Sequence, residues 1–144
     1  MLSILQDAYG PEPERVLRVG EIETPSIGDD EVLVRVRAAS VDRGTWHIMA
    51  GLPYPIRAAG FGLRSPKYSN PGRSLAGTVE TASGGIGFRP GDEVFGVGVG
   101  SFAEYAVAPV GKRAGRHLQP VDRFGVSKAV HVVKIARRPA AHAV

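Results

Sequence analysis

The fold is decided by Arg89–Pro109, a stretch that reads RPGDEVFGVGVGSFAEYAVAP. Its first four residues, Arg-Pro-Gly-Asp, are typical of a tight turn, because proline fixes its own φ and glycine accepts conformations that other residues avoid. Glu93–Val97 and Phe102–Ala108 are then predicted as two strands on either side of Gly98 and Gly100. A turn followed by two short strands indicates a β-rich fold.

Two longer strands are predicted upstream of this stretch. In Glu31–Ala39, valines and alanine alternate with leucine and two arginines, so one face is apolar and β-branched. This period of two predicts a strand with one buried face. Ser74–Thr81 is predicted as the next strand, and Gly77 inside it indicates a bulge or a close approach of another backbone segment.

Shorter elements complete the body of the chain. Residues 1–5 and Arg15–Glu23 are predicted as strands, and Asp42–Gly51 as a short helix or turn. The irregular stretch that runs on to Pro71 is rich in glycine, proline and aromatic residues, and long connections of this kind are usually functional or mobile. We therefore predict a mainly β fold, a partly open β-barrel with short helices.

The charge of the chain is divided unevenly along its length. Residues 1–110 carry ten Lys or Arg and 13 Asp or Glu, a net charge of −3, whereas residues 111–144 carry eight Lys or Arg and one Asp, a net charge of +7. A shift this sharp predicts a boundary between a body, 1–110, and a basic tail, 111–144. In the tail, Val126–Arg138 has apolar residues at helical spacing, which predicts one amphipathic C-terminal helix ended by Pro139.

Composition excludes several classes of site. The chain has no cysteine, which excludes disulfides, a thiolate nucleophile and a cysteine-based zinc site. The N-terminus lacks the basic region and unbroken apolar run of a signal peptide, so none is predicted. No segment approaches the ~20 apolar residues of a membrane span. We expect a cytoplasmic protein.

Three segments, in this order and spacing, resemble the zinc-independent, quinone-oxidoreductase-like branch of the medium-chain dehydrogenase/reductase superfamily. Glu21–Asp42 resembles its opening strands, and Pro71–Glu80 resembles its Gly-x-x-x-Ala-Gly-x-Val strand. Arg89–Pro109 resembles its Pro-Gly-Asp-x-Val turn and the Gly-x-Phe-Ala-Glu-Tyr strand that follows. The resemblance implies that residues 1–110 form a GroES-like domain, which is one wall of the active-site cleft in that family.

The resemblance also predicts that no zinc is bound. Zinc-dependent relatives carry a cysteine after the first long strand and a His-Glu pair after Pro-Gly, and the matching positions here hold Asp42, Arg73 and Ser74. Asp42 alone cannot supply the three protein ligands of a catalytic zinc, and Arg73 would place a fixed positive charge beside the metal. Zinc-free relatives often have Asn at the Asp42 position and Asp at the Thr45 and Ser74 positions, so this chain departs from them too.

A substrate-binding wall is predicted from the same correspondence, without a catalytic side chain, because zinc-free relatives rely on hydride geometry and solvent. Two structural alternatives stay open: Asp42 pairs with Arg43 or Arg73, and His47 is satisfied locally. The predicted substrate-binding residues are Asp42, Thr45, Trp46, His47 and Tyr54, with Phe61 beside them.

The resemblance implies NADP(H) as cofactor, yet no cofactor-binding residue is identified, and NADPH and NADH are not distinguished. Two glycine-rich segments, Gly84–Gly87 and Gly96–Gly100, are interpreted as turns, because neither is predicted to open a helix. Ala114–Arg138 resembles two pieces of the family's Rossmann domain run together. We hypothesise that the tail is the remnant of, or a replacement for, a truncated or decayed Rossmann domain, with a frameshifted tail as the main competitor.

The predicted function is the substrate-side domain of an NADP(H)-dependent quinone or enone oxidoreductase, with little or no activity alone. One alternative is an active reductase completed by self-association or by a partner chain that supplies a nucleotide-binding domain. Another is a binding module whose basic helix contacts nucleic acid or a membrane surface. A solvated basic face explains the few cations of that helix more simply, namely Lys128, Lys134, Arg137 and Arg138.

Overall fold

The computed structural model of the chain describes residues 1–110, 118–120 and 133–134. The elements in chain order are β1 (Leu2–Gln6), α1 (Pro13–Val16), β2 (Leu17–Glu21), β3 (Glu31–Ala39), α2 (Arg43–Ala50), β4 (Ser74–Ala82), β5 (Glu93–Val97), β6 (Tyr105–Pro109), β7 (Gln119–Pro120) and β8 (Val133–Lys134). Between α2 and β4, a wide turn at Arg57–Phe61 is closed by a hydrogen bond of 3.2 Å from Gly62 N to Arg57 O.

The strands form two antiparallel sheets. Six strands pair in the order β6-β3-β4-β5-β7, with β8 against the end of β3. β1 and β2 form a separate two-stranded sheet, which is joined to the rest by a bridge between Ser3 and Ala103. The prediction of a mainly β fold with short helices and open sheets is confirmed.

The core lies on one face of the larger sheet. Alternate residues of β3 and β4 point into it, so that Val32, Val34 and Val79 are fully buried while Arg35 is exposed on the opposite face. Each valine taken out of water stabilises the fold by roughly 1.5–3 kcal/mol relative to an exposed position. The buried cluster consists of Val32, Val34, Leu75, Val79, Val94, Ala106, Ala108 and Leu118.

Gly77 lies in β4, between β3 and β5, at an irregularity of the sheet. It pairs with Val36, and the register between β3 and β4 shifts just after this pair. An ideal Cβ built on Gly77 would overlap the backbone oxygen of Arg35 and lie 2.9 Å from Val34 Cγ1. The predicted close backbone approach is therefore confirmed, and a side chain is excluded at this position.

Apart from shifts of one to three residues at strand ends, two segments differ in type from the sequence prediction. Residues 13–16 of the N-terminal part form the helical turn α1 before β2 begins at Leu17, because Pro13 suits the first turn of a helix. The predicted helix Val126–Arg138 lies outside the described residues except at Val133 and Lys134. At these two positions the prediction is wrong, because they pair as a strand with Ala39 and Ala38 and so satisfy backbone groups at the end of β3.

None of the helices within the described ranges is long and apolar enough to cross a membrane.

Candidate substrate-binding site

Helix α2 begins directly after β3, and Asp42 is its N-cap. The Asp42 carboxylate accepts a hydrogen bond of 2.7 Å from Thr45 N, and the Asp42 carbonyl accepts one of 3.1 Å from Trp46 N. At the other end, Gly51 has a φ of 65° and ends the helix in the left-handed region. The carboxylate of Asp42 therefore serves the backbone of the helix rather than an ion pair with Arg43.

Thr45 is buried at 4% exposure. Its hydroxyl Oγ1 has no hydrogen-bond partner among the residues that the structure describes. Buried hydroxyl groups are nearly always paired with protein or with water. The Thr45 hydroxyl is therefore a buried donor and acceptor in the first turn of α2 that the described residues leave unpaired.

Trp46 and His47 follow Thr45 and contact each other. Their rings meet edge to face, with centroids 5.2 Å apart. Trp46 is 38% exposed, and its Nε1 donates to Pro11 O at 3.4 Å. His47 Nδ1 lies 2.9 Å from Leu52 O. Because a carbonyl only accepts, Nδ1 carries the hydrogen, and in the neutral ring Nε2 is the acceptor.

Tyr54 lies beyond the helix and is 70% exposed. The guanidinium of Arg57 stacks between two tyrosines, 4.9 Å from the ring centre of Tyr54 and 4.4 Å from that of Tyr9. Arg57 Nε also donates to Gly51 O at 2.9 Å, which ties the stack to the end of α2. The sequence prediction missed Tyr9 and Arg57, because residues this far apart give no periodic signal.

The hydroxyl of Tyr9 anchors the connection that follows α2. It lies 2.6 Å from Phe61 O and 2.8 Å from Gly62 O, so its hydrogen is shared between two carbonyls. Burial raises the pKa of Tyr9 above its usual value, and the positive charge of Arg57 partly opposes this effect. Tyr9 therefore stays neutral, and its hydroxyl stays a donor, at physiological pH.

A second group of cations and rings lies at the start of β4, and we call Phe61, Lys67, Tyr68 and Arg73 the basic–aromatic cluster. The guanidinium of Arg73 is 5.9 Å from the ring centre of Phe61 and 5.7 Å from that of Tyr68. The Lys67 ammonium is 5.5 Å from the same Tyr68 ring. Contacts of this length are cation–π interactions.

The sheet register brings the cluster and helix α2 to the same end of the sheet. Ala39, the last residue of β3, pairs with Leu75 of β4. Asp42 follows Ala39 by three residues, and Arg73 precedes Leu75 by two. The side chains that the sequence predicts for the substrate wall and the cluster around Arg73 thus flank the same pair of strand ends.

A cavity of about 270 Å³ adjoins the cluster. Its wall does not include any of the five predicted substrate residues, so the cavity extends the site away from α2. Its wall combines polar and charged residues with apolar ones. It is lined by Met1, Ile22, Glu23, Pro25, Lys67, Tyr68, Ser69, Asn70, Val99, Gly100 and Tyr105.

The glycine-rich segments do not form a pyrophosphate cradle. Gly96 lies within β5, and the chain continues after Gly100 into β6 rather than into a helix. Gly84–Gly87 lies in the connection between β4 and β5. Pyrophosphate sites of the dinucleotide-binding type need a glycine turn at a helix N-terminus. Residues 1–110, which contain both segments, do not offer that geometry.

No group of three or more His, Cys, Asp or Glu side chains in the described part of the chain could hold a metal ion.

Removing the helix cap should weaken the fold modestly. We expect Asp42→Ala to lower the free energy of unfolding by about 1 kcal/mol, because Thr45 N loses its acceptor in the first turn of α2. Asp42→Ser keeps an acceptor at the N-cap and should stay within about 0.5 kcal/mol of the wild type. Urea denaturation followed by Trp46 fluorescence measures both; equal losses in the two variants would contradict the capping role.

Comparison with known proteins identifies the family. Residues 28–115 match the family model described as alcohol dehydrogenase GroES-like domain. Over 113 residues the chain is 31% identical to a chloroplastic quinone-oxidoreductase homolog of Spinacia oleracea, covering 75% of this chain and 32% of that protein. The chain thus spans about a third of the length of the curated relatives that it matches.

Solved structures agree on the fold. The quinone oxidoreductase from Coxiella burnetii aligns with a TM-score of 0.63 at 23% identity, covering 76% of this chain and 35% of that one. A mycobacterial protein complexed with NADPH aligns with a TM-score of 0.63 at 24% identity, covering 86% of this chain and 33% of that one. This chain therefore belongs to the alcohol dehydrogenase GroES-like domain family, as its motifs predict.

Proposed function

We propose that this chain is the substrate-side domain of a zinc-independent, NADP(H)-dependent oxidoreductase acting on quinones or other conjugated carbonyl compounds. The observation that carries the proposal is the first turn of α2. There the capped helix places the unpaired Thr45 hydroxyl and the half-exposed rings of Trp46 and His47 at the end of the central strands. A hydroxyl beside aromatic rings suits a planar carbonyl compound, because the rings stack on it and the hydroxyl can donate to its oxygen.

The donor chemistry at this end of the sheet supports the zinc-independent branch. Asp42 already accepts a hydrogen bond from the α2 backbone. Arg73 has no lone pair to offer a metal, and its fixed charge opposes a cation nearby. Ser74 follows where zinc-dependent relatives carry a carboxylate. These residues do not fit a catalytic zinc, so the carbonyl would be polarised by hydrogen bonds instead.

We propose that the coenzyme binds to a part of the enzyme that lies outside the region aligned with the curated relatives. When bound, a reduced nicotinamide supplies the hydride. The described residues provide no glycine turn at a helix N-terminus, and the matched relatives have about two thirds of their length beyond the aligned region. We propose that a nucleotide-binding domain, in the same assembly or on a partner chain, faces α2, and that residues 1–110 alone have little or no activity.

Separate titrations with quinone and coenzyme test this division of labour. We expect 1,4-naphthoquinone to bind the 144-residue chain with micromolar to millimolar affinity, and NADPH not to saturate below millimolar concentration, by calorimetry. Thr45→Val keeps the shape of the side chain but removes the hydroxyl, and it should weaken quinone binding about three- to tenfold, the worth of one hydrogen bond.

The matched control is Thr81→Val, the same change at an exposed position near the far end of β4. It should leave quinone affinity unchanged. Saturable one-to-one NADPH binding in the micromolar range would contradict the division and favour a reductase that is active without a further domain. Quinone binding that Thr45→Val and Thr81→Val leave equally intact would remove Thr45 from the site.

A further inference from the structure

The connection between β3 and β4 is the positive part of the described body. Residues 40–75 contain five basic residues and one acidic residue, whereas the rest of residues 1–110 contains five basic and twelve acidic residues. The one acidic side chain, Asp42, caps helix α2. A surface in which cations exceed anions this strongly attracts anionic ligands. The basic residues are Arg43, Arg57, Arg64, Lys67 and Arg73.

Within this connection, the basic–aromatic cluster concentrates charge against flat rings. Tyr68 is 37% exposed and is contacted by both the Lys67 ammonium and the Arg73 guanidinium. The Tyr68 ring contacts the Lys67 ammonium without neutralising it, since a cation–π contact leaves the net charge unchanged. Guanidinium and ammonium groups are the usual partners of carboxylate, sulfonate and phosphate oxygens.

Lys67 forms no ion pair with another described residue. The ion pairs of Arg15 with Glu12, Arg18 with Asp7 and Arg35 with Glu80 lie outside this connection. Lys67 is exposed; its ammonium contacts the Tyr68 ring, and its backbone nitrogen donates to Phe61 O. Its ammonium therefore keeps donors for a ligand.

The cavity beside the cluster gives such a ligand room. Lys67 and Tyr68 form part of its wall, while Ile22 and Val99 supply apolar surface. Its volume of about 270 Å³ is near the lower end of ligand pockets, roughly 300 Å³. Among the described residues of the wall, Glu23 is the one with a carboxylate. The space suits a compact, partly apolar group that ends in a single negative charge.

We infer that the substrate of this chain is a conjugated carbonyl compound that carries an acidic group. Lys67 holds that group against Tyr68 beside the cavity, and the carbonyl lies toward the end of β3 from which α2 begins. The inference rests on the proposed function and adds the charge of the substrate to it. Lys67 is thereby a specificity-determining residue rather than a catalytic one.

A pair of quinones that differ by one charge tests the inference. The 144-residue chain is titrated by calorimetry at low salt with 1,4-naphthoquinone and with 1,4-naphthoquinone-2-sulfonate. Because the chain has no cysteine, addition of a protein thiol to the quinone does not interfere. We expect the sulfonate to bind about tenfold more tightly, which is the effect of one charge-assisted contact, and the preference to shrink in high salt.

Variants of two exposed cations in the same connection locate the effect. Lys67→Gln should remove most of the preference for the sulfonate, and Lys67→Arg should keep it. Arg64→Gln removes one positive charge from the same loop at an exposed residue outside the cluster, and it should leave the preference within about twofold of the wild type, as expected for a screened surface charge.

Three results would overturn the inference in distinguishable ways. Equal affinity for the two quinones in the wild type would refute the charge preference and leave the proposed function standing. A preference that Arg64→Gln reduces as much as Lys67→Gln would assign it to general surface potential instead of the cluster. Failure of the wild type to bind either quinone would refute the substrate-side assignment and the inference together.

Discussion

Gly77→Ala is expected to damage the centre of the larger sheet, lowering the free energy of unfolding by about 3 kcal/mol or more. The added Cβ would overlap the backbone oxygen of Arg35 and press on Val34 Cγ1 at 2.9 Å. Neither neighbour can rotate away, because one is backbone of β3 and the other is a fully buried side chain. Relief requires β3 and β4 to separate, which breaks the centre of the sheet.

Gly84→Ala is the matched control, because a Cβ at Gly84 would meet nothing within 4 Å and its φ is not in the left-handed region. This control should stay within about 0.5 kcal/mol of the wild type, the usual range for surface changes. Urea denaturation followed by circular dichroism measures both variants. A Gly77→Ala protein as stable as Gly84→Ala would show that β3 and β4 are not packed as described.

Asn70→Ala is expected to lower the free energy of unfolding by about 2–3 kcal/mol. Asn70 is buried at 6% exposure. Its Oδ1 accepts hydrogen bonds from Gly72 N at 2.9 Å and Phe102 N at 3.3 Å, and its Nδ2 donates to Ser3 Oγ at 3.0 Å. Alanine leaves these buried partners without a bond, and such unpaired groups cost more than a lost contact on the surface.

Ser69→Ala serves as control, since Ser69 is the exposed neighbour of Asn70 and its recorded bond uses the backbone carbonyl. It should change stability by less than about 0.5 kcal/mol. Hydrogen exchange adds a local measurement: the amides of Gly72 and Phe102 should lose protection in Asn70→Ala and keep it in Ser69→Ala. Unchanged protection at both amides in Asn70→Ala would count against this role for the side chain.

The strands were predictable where local pattern and burial agree. The alternation of Glu31–Ala39 produced β3 with its bounds as predicted, because each valine of one face is buried against the core. Gly77 was recognisable for a similar reason. Glycine has no side chain to pack in an apolar strand, so its presence there indicates a neighbour that is too close for a side chain.

Elements that depend on distant partners were not predictable in the same way. Val133 and Lys134 fit a helical repeat as well as a strand, and pairing with the end of β3 decides between them. Periodicity describes one segment at a time, whereas a two-residue strand exists only because another strand offers it hydrogen bonds. The helical pattern therefore carried no information about that contact.

The candidate site also contains some residues that the local sequence predicts and others that only the fold brings together. Asp42 follows a clear strand and precedes a helical segment, which is where a capping carboxylate is expected, and Thr45, Trp46 and His47 follow in the same helix. Tyr54 joins the site only through Arg57 and Tyr9, and the latter lies before β2 in the chain. The Tyr68 ring shared by Lys67 and Arg73 likewise depends on the path of an irregular connection, which no pattern of spacing describes.

Because both ends of the β3–β4 connection are fixed in one ladder and Asn70 anchors the second end, residues 40–69 form a segment that can be exchanged. The pair Ala39–Leu75 closes it, and the core valines of the sheet lie outside it. Lengthening such a loop adds little entropic cost, about 0.6 kcal/mol for each doubling. Evolution, or a protein engineer, could therefore replace the whole segment to change the ligand while the sheet that carries it keeps its stability.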